Sequence, residues 1–130
     1  MYSATTEDIE VTVDPQFLEE HSDPLEGRFV WAYTIEIRNR SGDTVRLRKR
    51  HWRITDGGGH VEEVQGQGVI GEQPLIPPGG AFGYTSGCPL TTPSGIMVGE
   101  YEMERPDGSR FRVNIPAFSL DLPGAIHALN

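Results

Sequence analysis

Phe29, Trp31, Tyr33, Ile35 and Ile37 recur at strict period two over nine residues, and this alternation restricts the fold more than any other feature. Side chains alternate across a strand but wind at about 3.6 residues per turn around a helix. The pattern therefore loads one face of a β-strand with five large apolar groups. Ile9, Val11 and Val13 repeat it earlier in the chain. Met97, Gly99, Tyr101 and Met103 repeat it later against Glu100, Glu102 and Glu104, and Phe111, Val113 and Ile115 do so against Arg110, Arg112 and Asn114. Helix has little room: Pro15–His21 allows one turn before Pro24 and Gly27 stop it. The reading is all-β: a fibronectin type III or immunoglobulin-like β-sandwich of about seven or more antiparallel strands. Its 130 residues make a single domain, with a core over about residues 5–122.

The last hairpin has a readable register. Pro106-Asp107-Gly108 as a three-residue loop sets Arg105 against Ser109, Glu104 against Arg110, Met103 against Phe111, Glu102 against Arg112 and Tyr101 against Val113. Every pair then matches like with like or acid with base. This register explains Arg110 and Arg112 as ladder partners. A four-residue loop would oppose Glu104 and Phe111, and is rejected.

The strand from Val45 changes phase. Val45 and Leu47 are odd-numbered and apolar, whereas Trp52 and Ile54 are even. One face cannot bury both sets without an extra residue, so a bulge or a crossing between sheets is expected near Arg48–His51. His60–Val64 reads as a short edge strand. Gln65–Gly80 and Ser86–Gly95 are rich in Gly and Pro and read as two long loops.

Charge excludes some classes. The formal charge is −8, yet residues 28–53 hold eight bases against two acids, and residues 1–27 hold eight acids and no base. An acidic chain repels duplex backbone and anionic lipid, so neither nucleic acid nor membrane is an expected partner. The longest apolar run, Phe29–Tyr33, is far below the roughly 20 residues of a membrane span. A single Cys and no signal segment suit a reducing cytoplasm. The basic strip Arg48, Lys49, Arg50 and His51 is the candidate partner-binding surface. Its alternative is a solvated face with paired acids.

Gly66-Gln67-Gly68-Val69-Ile70-Gly71 matches G-x-G-x-x-G. A dinucleotide site needs that motif between a strand and a helix. Here Pro74, Pro77 and Pro78 follow, and no βαβ unit surrounds it. Two readings stand: glycines that let a packed loop turn, or an amide nest for phosphate, with Gly66, Gly68 and Gly71 backed by Arg50 or Arg53.

Several segments together resemble the ApaG family. They are Ser22-Asp23-Pro24, Tyr33–Asn39, Arg50–Asp56, Gly66–Pro74, Pro78-Gly79, Tyr84–Gly87 and Gly95–Tyr101. The resemblance spans about residues 5–122. It departs at Gly57-Gly58-Gly59, at Cys88 and over the last eight residues. It implies a fibronectin type III-like sandwich. It also implies a link, through the name of bacterial members, to cobalt and magnesium efflux, and through gene neighbourhood to a diadenosine tetraphosphate hydrolase. Similar domains in eukaryotic F-box and polymerase-interacting proteins imply protein contact. The glycine motif matches a proposed pyrophosphate site. The family supplies no catalytic residues to carry over.

Other chemistry is thin. His21, His51, His60 and His127 do not have zinc-ligand spacing, so no metal is assigned. Asp56, His60 and Glu62 are at most a weak hard-cation set, against a solvated turn. Cys88 lacks a designated base, and no cofactor is implied. The expectation is a non-enzymatic module for an unknown protein partner. The alternative is a protein that binds pyrophosphate or a dinucleoside polyphosphate.

Overall fold

The computed structural model describes residues 1–123 as nine strands and two single 3₁₀ turns. The strands are β1 (Tyr2–Thr6), β2 (Ile9–Phe17), β3 (Phe29–Asn39), β4 (Val45–Asp56), β5 (Val61–Gln67), β6 (Leu75–Ile76), β7 (Ala81–Leu90), β8 (Gly95–Glu104) and β9 (Arg110–Leu120). The turns are Glu19–His21 and Pro24–Glu26. One sheet has the order β1-β2-β3-β7, and the other β5-β4-β8-β9, with β6 also on β4. All pairs are antiparallel. The two sheets form a sandwich, as the alternation requires. His127 and the other residues of 124–130 lie outside the described part.

The period-two residues build the core. Ile9, Val11, Val13, Trp31, Ile35 and Ile37 of the first sheet, and Leu47, Met97, Tyr101, Met103 and Val113 of the second, are all buried. Tyr33, Trp52 and Phe118 meet between the sheets, with ring centroids 5.5–5.8 Å apart. Burying such rings is the largest favourable contribution available to a sandwich this size.

The bulge expected in β4 lies between Leu47 and Lys49. Arg48 is the extra residue. Leu47 faces the core before it, and Trp52 after it. β8 has a second irregularity between Met97 and Gly99. The last hairpin has the expected register throughout, closed by the Arg105 amide on the Ser109 carbonyl at 2.9 Å. One ion pair differs from the reading: Arg110 sits 3.5 Å from both Glu104 and Glu102, and Arg112 reaches Glu100 instead, at 3.8 Å.

Three elements depart from the sequence reading. β1 was not expected, because Tyr2-Ser3-Ala4-Thr5-Thr6 offers little apolar signal; it pairs with β2 through a tight turn in which Glu7 and Asp8 both have positive φ. β2 runs through Pro15 to Phe17, where a helical turn was read. β1 has ended at the level of Val13, so no neighbour needs the N–H that Pro15 lacks. Ser86–Leu90 is strand, not loop, and only Thr91–Ser94 connects β7 to β8. The Gln65–Gly80 stretch is likewise ordered by β5, a turn and β6.

One long side of the sandwich is closed. Tyr2 shares a hydroxyl hydrogen bond of 2.9 Å with Ser119, and the Thr6 hydroxyl accepts from the Asn114 amide at 3.2 Å. These contacts tie β1 to β9. The opposite side is flanked by β5 and β7, and across it the Tyr84 hydroxyl of β7 is hydrogen-bonded to the Tyr101 hydroxyl of β8.

Candidate functional site

Strand parity after the bulge divides the basic strip. Arg48 and Lys49 both project to the outer face, where Arg48 Nη2 meets Glu104 Oε1 at 2.8 Å and Lys49 Nζ lies 3.7 Å from Glu102. Arg48 Nη1 also donates to Gln73 Oε1 at 3.1 Å. The Arg48 hydrogen bond to Glu104 holds that carboxyl below the usual carboxylate range. His51, also outward, lies 3.8 Å from both Glu63 and Glu100, and its Nε2 is closed off without a hydrogen-bond partner.

Arg50 differs. It has the parity of buried Trp52 and pairs in register with buried Tyr101, so it turns inward. Its guanidinium lies across Gly66 and donates from Nη1 to the carbonyls of Gln67, at 3.2 Å, and Gly68, at 2.9 Å. A Cβ at position 66 would sit 2.8 Å from Nη1. Gly66 therefore makes room for Arg50. Arg53 is back on the outer face and forms no ion pair among the described residues. Thus Arg50 and Arg53, read as alternative counter-charges, are on opposite sides of the sheet.

The glycine segment is a tight turn at the end of β5. Val69 and Glu72 exchange both backbone hydrogen bonds at 2.8 Å, and Ile70 and Gly71 at its tip have φ of 43° and 78°. The Gly68 amide donates to Arg48 O at 2.8 Å. At φ 63° a Cβ on Gly68 would collide with the Glu72 carbonyl. So the amides of Gly68, Val69 and Glu72 are engaged, and Arg50 meets carbonyls rather than amides. The Ile70 and Gly71 amides have no partner among the described residues. Beside them is a hollow of about 360 Å³ lined by Arg46, Gln67, Gly71, Glu72 and Gln73. Arg46 belongs to the basic run seen in the sequence but is not among the anion-binding candidates read from it. Its odd–even relation to Leu47 places it outward, next to the turn.

A larger groove of about 580 Å³ runs over the outer face of the second sheet, where Lys49, His51, Gln65, Gln67, Glu102 and Arg112 line it. It mixes both signs of charge and is open to solvent.

Nothing on the described residues assembles a nucleophile with a base. Burial raises the Cys88 thiol to about 11, which keeps it protonated and unreactive at neutral pH. Burial likewise pushes the Tyr33, Tyr84 and Tyr101 phenols up, with the Arg50 charge opposing. Asp56 Oδ1 accepts from the Gly58 and His60 amides at 2.9 Å, so it organises the triglycine turn rather than joining His60 and Glu62. Among the described residues no three His, Cys, Asp or Glu side chains are placed to hold a metal ion. No helix there is long and apolar enough to cross a membrane.

The comparisons agree with this picture. A family model described as the ApaG domain matches residues 19–105. The chain is 60% identical to Protein ApaG of Sinorhizobium fredii and 56% identical to Protein ApaG of Brucella suis, each over the full length of both chains. A crystal structure described as an ApaA protein from Bordetella pertussis superposes with a TM-score of 0.87 at 46% identity, covering 89% of this chain and 94% of that one.

Proposed function

Because the chain belongs to the ApaG domain family, we propose that it is a non-enzymatic binding module whose ligand is another protein. The observation that carries this is the outer face of the second sheet. There the bulged sheet presents a broad charged groove, with no reactive group assembled in it, and on the same face Arg53 has no ion-pair partner among the described residues. Arg is favoured at protein contacts because its planar fork binds carboxylates at two points. A link to cobalt and magnesium handling would then be indirect, through the partner.

Affinity capture from native cytoplasm tests the reading. The wild-type chain should retain a reproducible partner, and a Lys49→Ala/Arg53→Ala variant should lose it or bind it at least 10-fold more weakly. Arg50→Ala is a poor probe, since Arg50 holds the loop. Failure of the wild-type chain to retain any partner sinks the proposal.

A second reading has its own observation: the unbonded Ile70 and Gly71 amides beside Arg46 form a small anion seat. Glu72 in the same hollow opposes it. Titration with pyrophosphate and with diadenosine tetraphosphate, followed by amide NMR shifts, separates the two readings. Shifts confined to Arg46 and residues 66–73, lost in Arg46→Ala, support the anion reading; none at millimolar ligand removes it. Turnover of phosphoesters with added magnesium, cobalt or manganese would contradict the non-enzymatic reading.

A further inference from the structure

The first sheet ends in an edge that, among the described residues, only Pro89 near its end protects. β7, Ala81–Leu90, spans ten residues without a charged side chain and pairs with β3 without a register shift. Natural edge strands are normally blunted by charges, prolines, bulges or a cover, because an open row of N–H and C=O groups templates another strand. In β7 the one such device, Pro89, leaves Ala81–Gly87 open. The opposite lip shows such blunting: β5 is shorter, seven residues, and exposes Glu62 and Glu63.

The polarity of the free row can be worked out. The Val30 carbonyl accepts from the Leu18 amide at 2.8 Å, and the Val30 amide donates to Ser22 Oγ at 2.9 Å. Val30 thus turns its backbone groups away from β7, so Val30↔Pro89 is a non-hydrogen-bonded pair. Alternation along the ladder then gives the same status to Gly87, Thr85, Gly83 and Ala81. Their amides and carbonyls point outward from the sheet, one set about every 6.8 Å. Pro89 fits because its missing N–H would have faced that open side.

Two glycines add an independent observation. Gly83 and Gly87 lack positive φ, and a Cβ on either would meet nothing closer than a carbonyl at ordinary contact, 3.6 Å. The fold itself does not call for them, and glycine inside a strand weakens it by roughly 0.5–1 kcal/mol. Such glycines mark places where another backbone approaches closely.

We propose that the free edge of β7 is a strand-addition site that takes an extended, basic segment of a partner protein as a fifth strand of the first sheet. The occupant must be extended backbone, since only a strand matches alternating donors and acceptors at this spacing. It is basic because the edge is itself neutral, its neighbours Glu36 and Arg38 pair with each other at 3.0 Å, Glu62 and Glu63 stand on the facing lip, and the chain carries −8. A second copy would bring its own −8 to the same contact. The inference rests on the binding-module reading and adds to the groove on the second sheet a separate contact on the first.

The probe is a capped ten-residue peptide of alternating Lys and Val, added to the full chain at low salt. Amide hydrogen exchange should slow at Ala81, Gly83, Thr85 and Gly87, with little change at Phe82, Tyr84 and Ser86, whose N–H groups already face β3. A Glu–Val peptide should bind at least 10-fold more weakly. Thr85→Pro removes one outward N–H at a position of the Pro89 type, so it should fold normally and bind the Lys–Val peptide at least 10-fold more weakly. Gly83→Lys, which charges the edge, should do the same. Unaltered exchange at millimolar peptide, slowing confined to β5, or undiminished binding by both variants overturns the inference. So does a dimer by light scattering that Gly83→Lys abolishes, because the occupant would then be a second copy. If Gly83→Lys captures every partner that the wild-type chain captures, the edge assignment falls while the module reading stands. If the wild-type chain captures none, the module reading itself falls.

Discussion

β5 and β7 flank the same open side of the sandwich and manage exposure in opposite ways. β5 exposes Glu62 and Glu63 on its two faces and ends in a turn whose geometry is over-determined. Gly68 is wedged against Glu72, Val69 and Glu72 close the turn, and Arg50 is clamped on two carbonyls. β7 carries no charge, has two glycines that no contact requires, and leaves the backbone groups of every second residue without a partner among the described residues. The same edge problem is thus solved by fixed geometry on one lip and left open on the other. The lesson is that a glycine's meaning comes from what surrounds it, not from the motif that contains it.

The largest test of this contrast sets Gly68→Ala against Gly83→Ala and Gly87→Ala. The first meets both a positive φ and a carbonyl, and should cost about 2–4 kcal/mol in urea unfolding. The β7 pair should be neutral or gain up to about 1 kcal/mol each, since their conformation suits alanine. Equal losses at all three sites would erase the distinction between the lips.

Arg50→Ala and Arg53→Ala come next. Loss of Arg50 leaves the Gln67 and Gly68 carbonyls without their donor, and should lower stability by about 1–3 kcal/mol. Arg53→Ala should stay within about 0.5 kcal/mol, as expected for an unpaired surface residue. Unfolding midpoints of the two variants check this, and a large Arg53 effect would mean that the outward arginine is structural.

The phenols that span the open side give a pH test. Tyr84 and Tyr101 have raised pKa values through burial, so above about pH 10 the unfolded chain releases protons that the folded chain keeps. Stability should be complete below that pH and fall above it, by about 1.4 kcal/mol per pH unit for each phenol held neutral. Tyr84→Phe should flatten the alkaline slope of the unfolding free energy by one such increment. An unchanged slope would mean that the hydroxyl pair is not closed in solution.

The smallest effect concerns the acid limb. The Glu104 carboxyl is depressed by Arg48. Its contribution is therefore present above the ordinary glutamate pKa of about 4.3 and is lost as pH falls through the lower folded value. Glu104→Gln should remove that part of the acid limb and leave stability near neutral pH little changed beyond the loss of its half-buried ion pairs with Arg48 and Arg110.

Much of this arrangement is visible before the fold is known. The last hairpin is local, so apolar and charged partners settle its register within fifteen residues. The β4 bulge shows as a change of parity. The same parity also separates Arg50, in phase with Trp52, from Arg53, although the sequence reading treated them as interchangeable counter-charges. Parity was the signal, and it was not applied to the arginines. β1 escaped because Tyr2 and Ala4 are too weak a pattern to stand out. Ser86–Leu90 read as loop because Gly87 and Pro89 disfavour a central strand; on an edge, the missing N–H and missing side chain cost little.

Alone, the sequence determined the β class, the inward residues of each strand, the last hairpin and the position of the bulge, because these depend on period two and on neighbours close in the chain. Only the tertiary structure decided which strands lie at the edges, which of those edges is covered, and where Arg50 anchors. Strand order joins residues far apart in sequence, such as Val30 with Pro89, and sheet packing joins others, such as Tyr84 with Tyr101. No local pattern encodes which row of amides is left facing water.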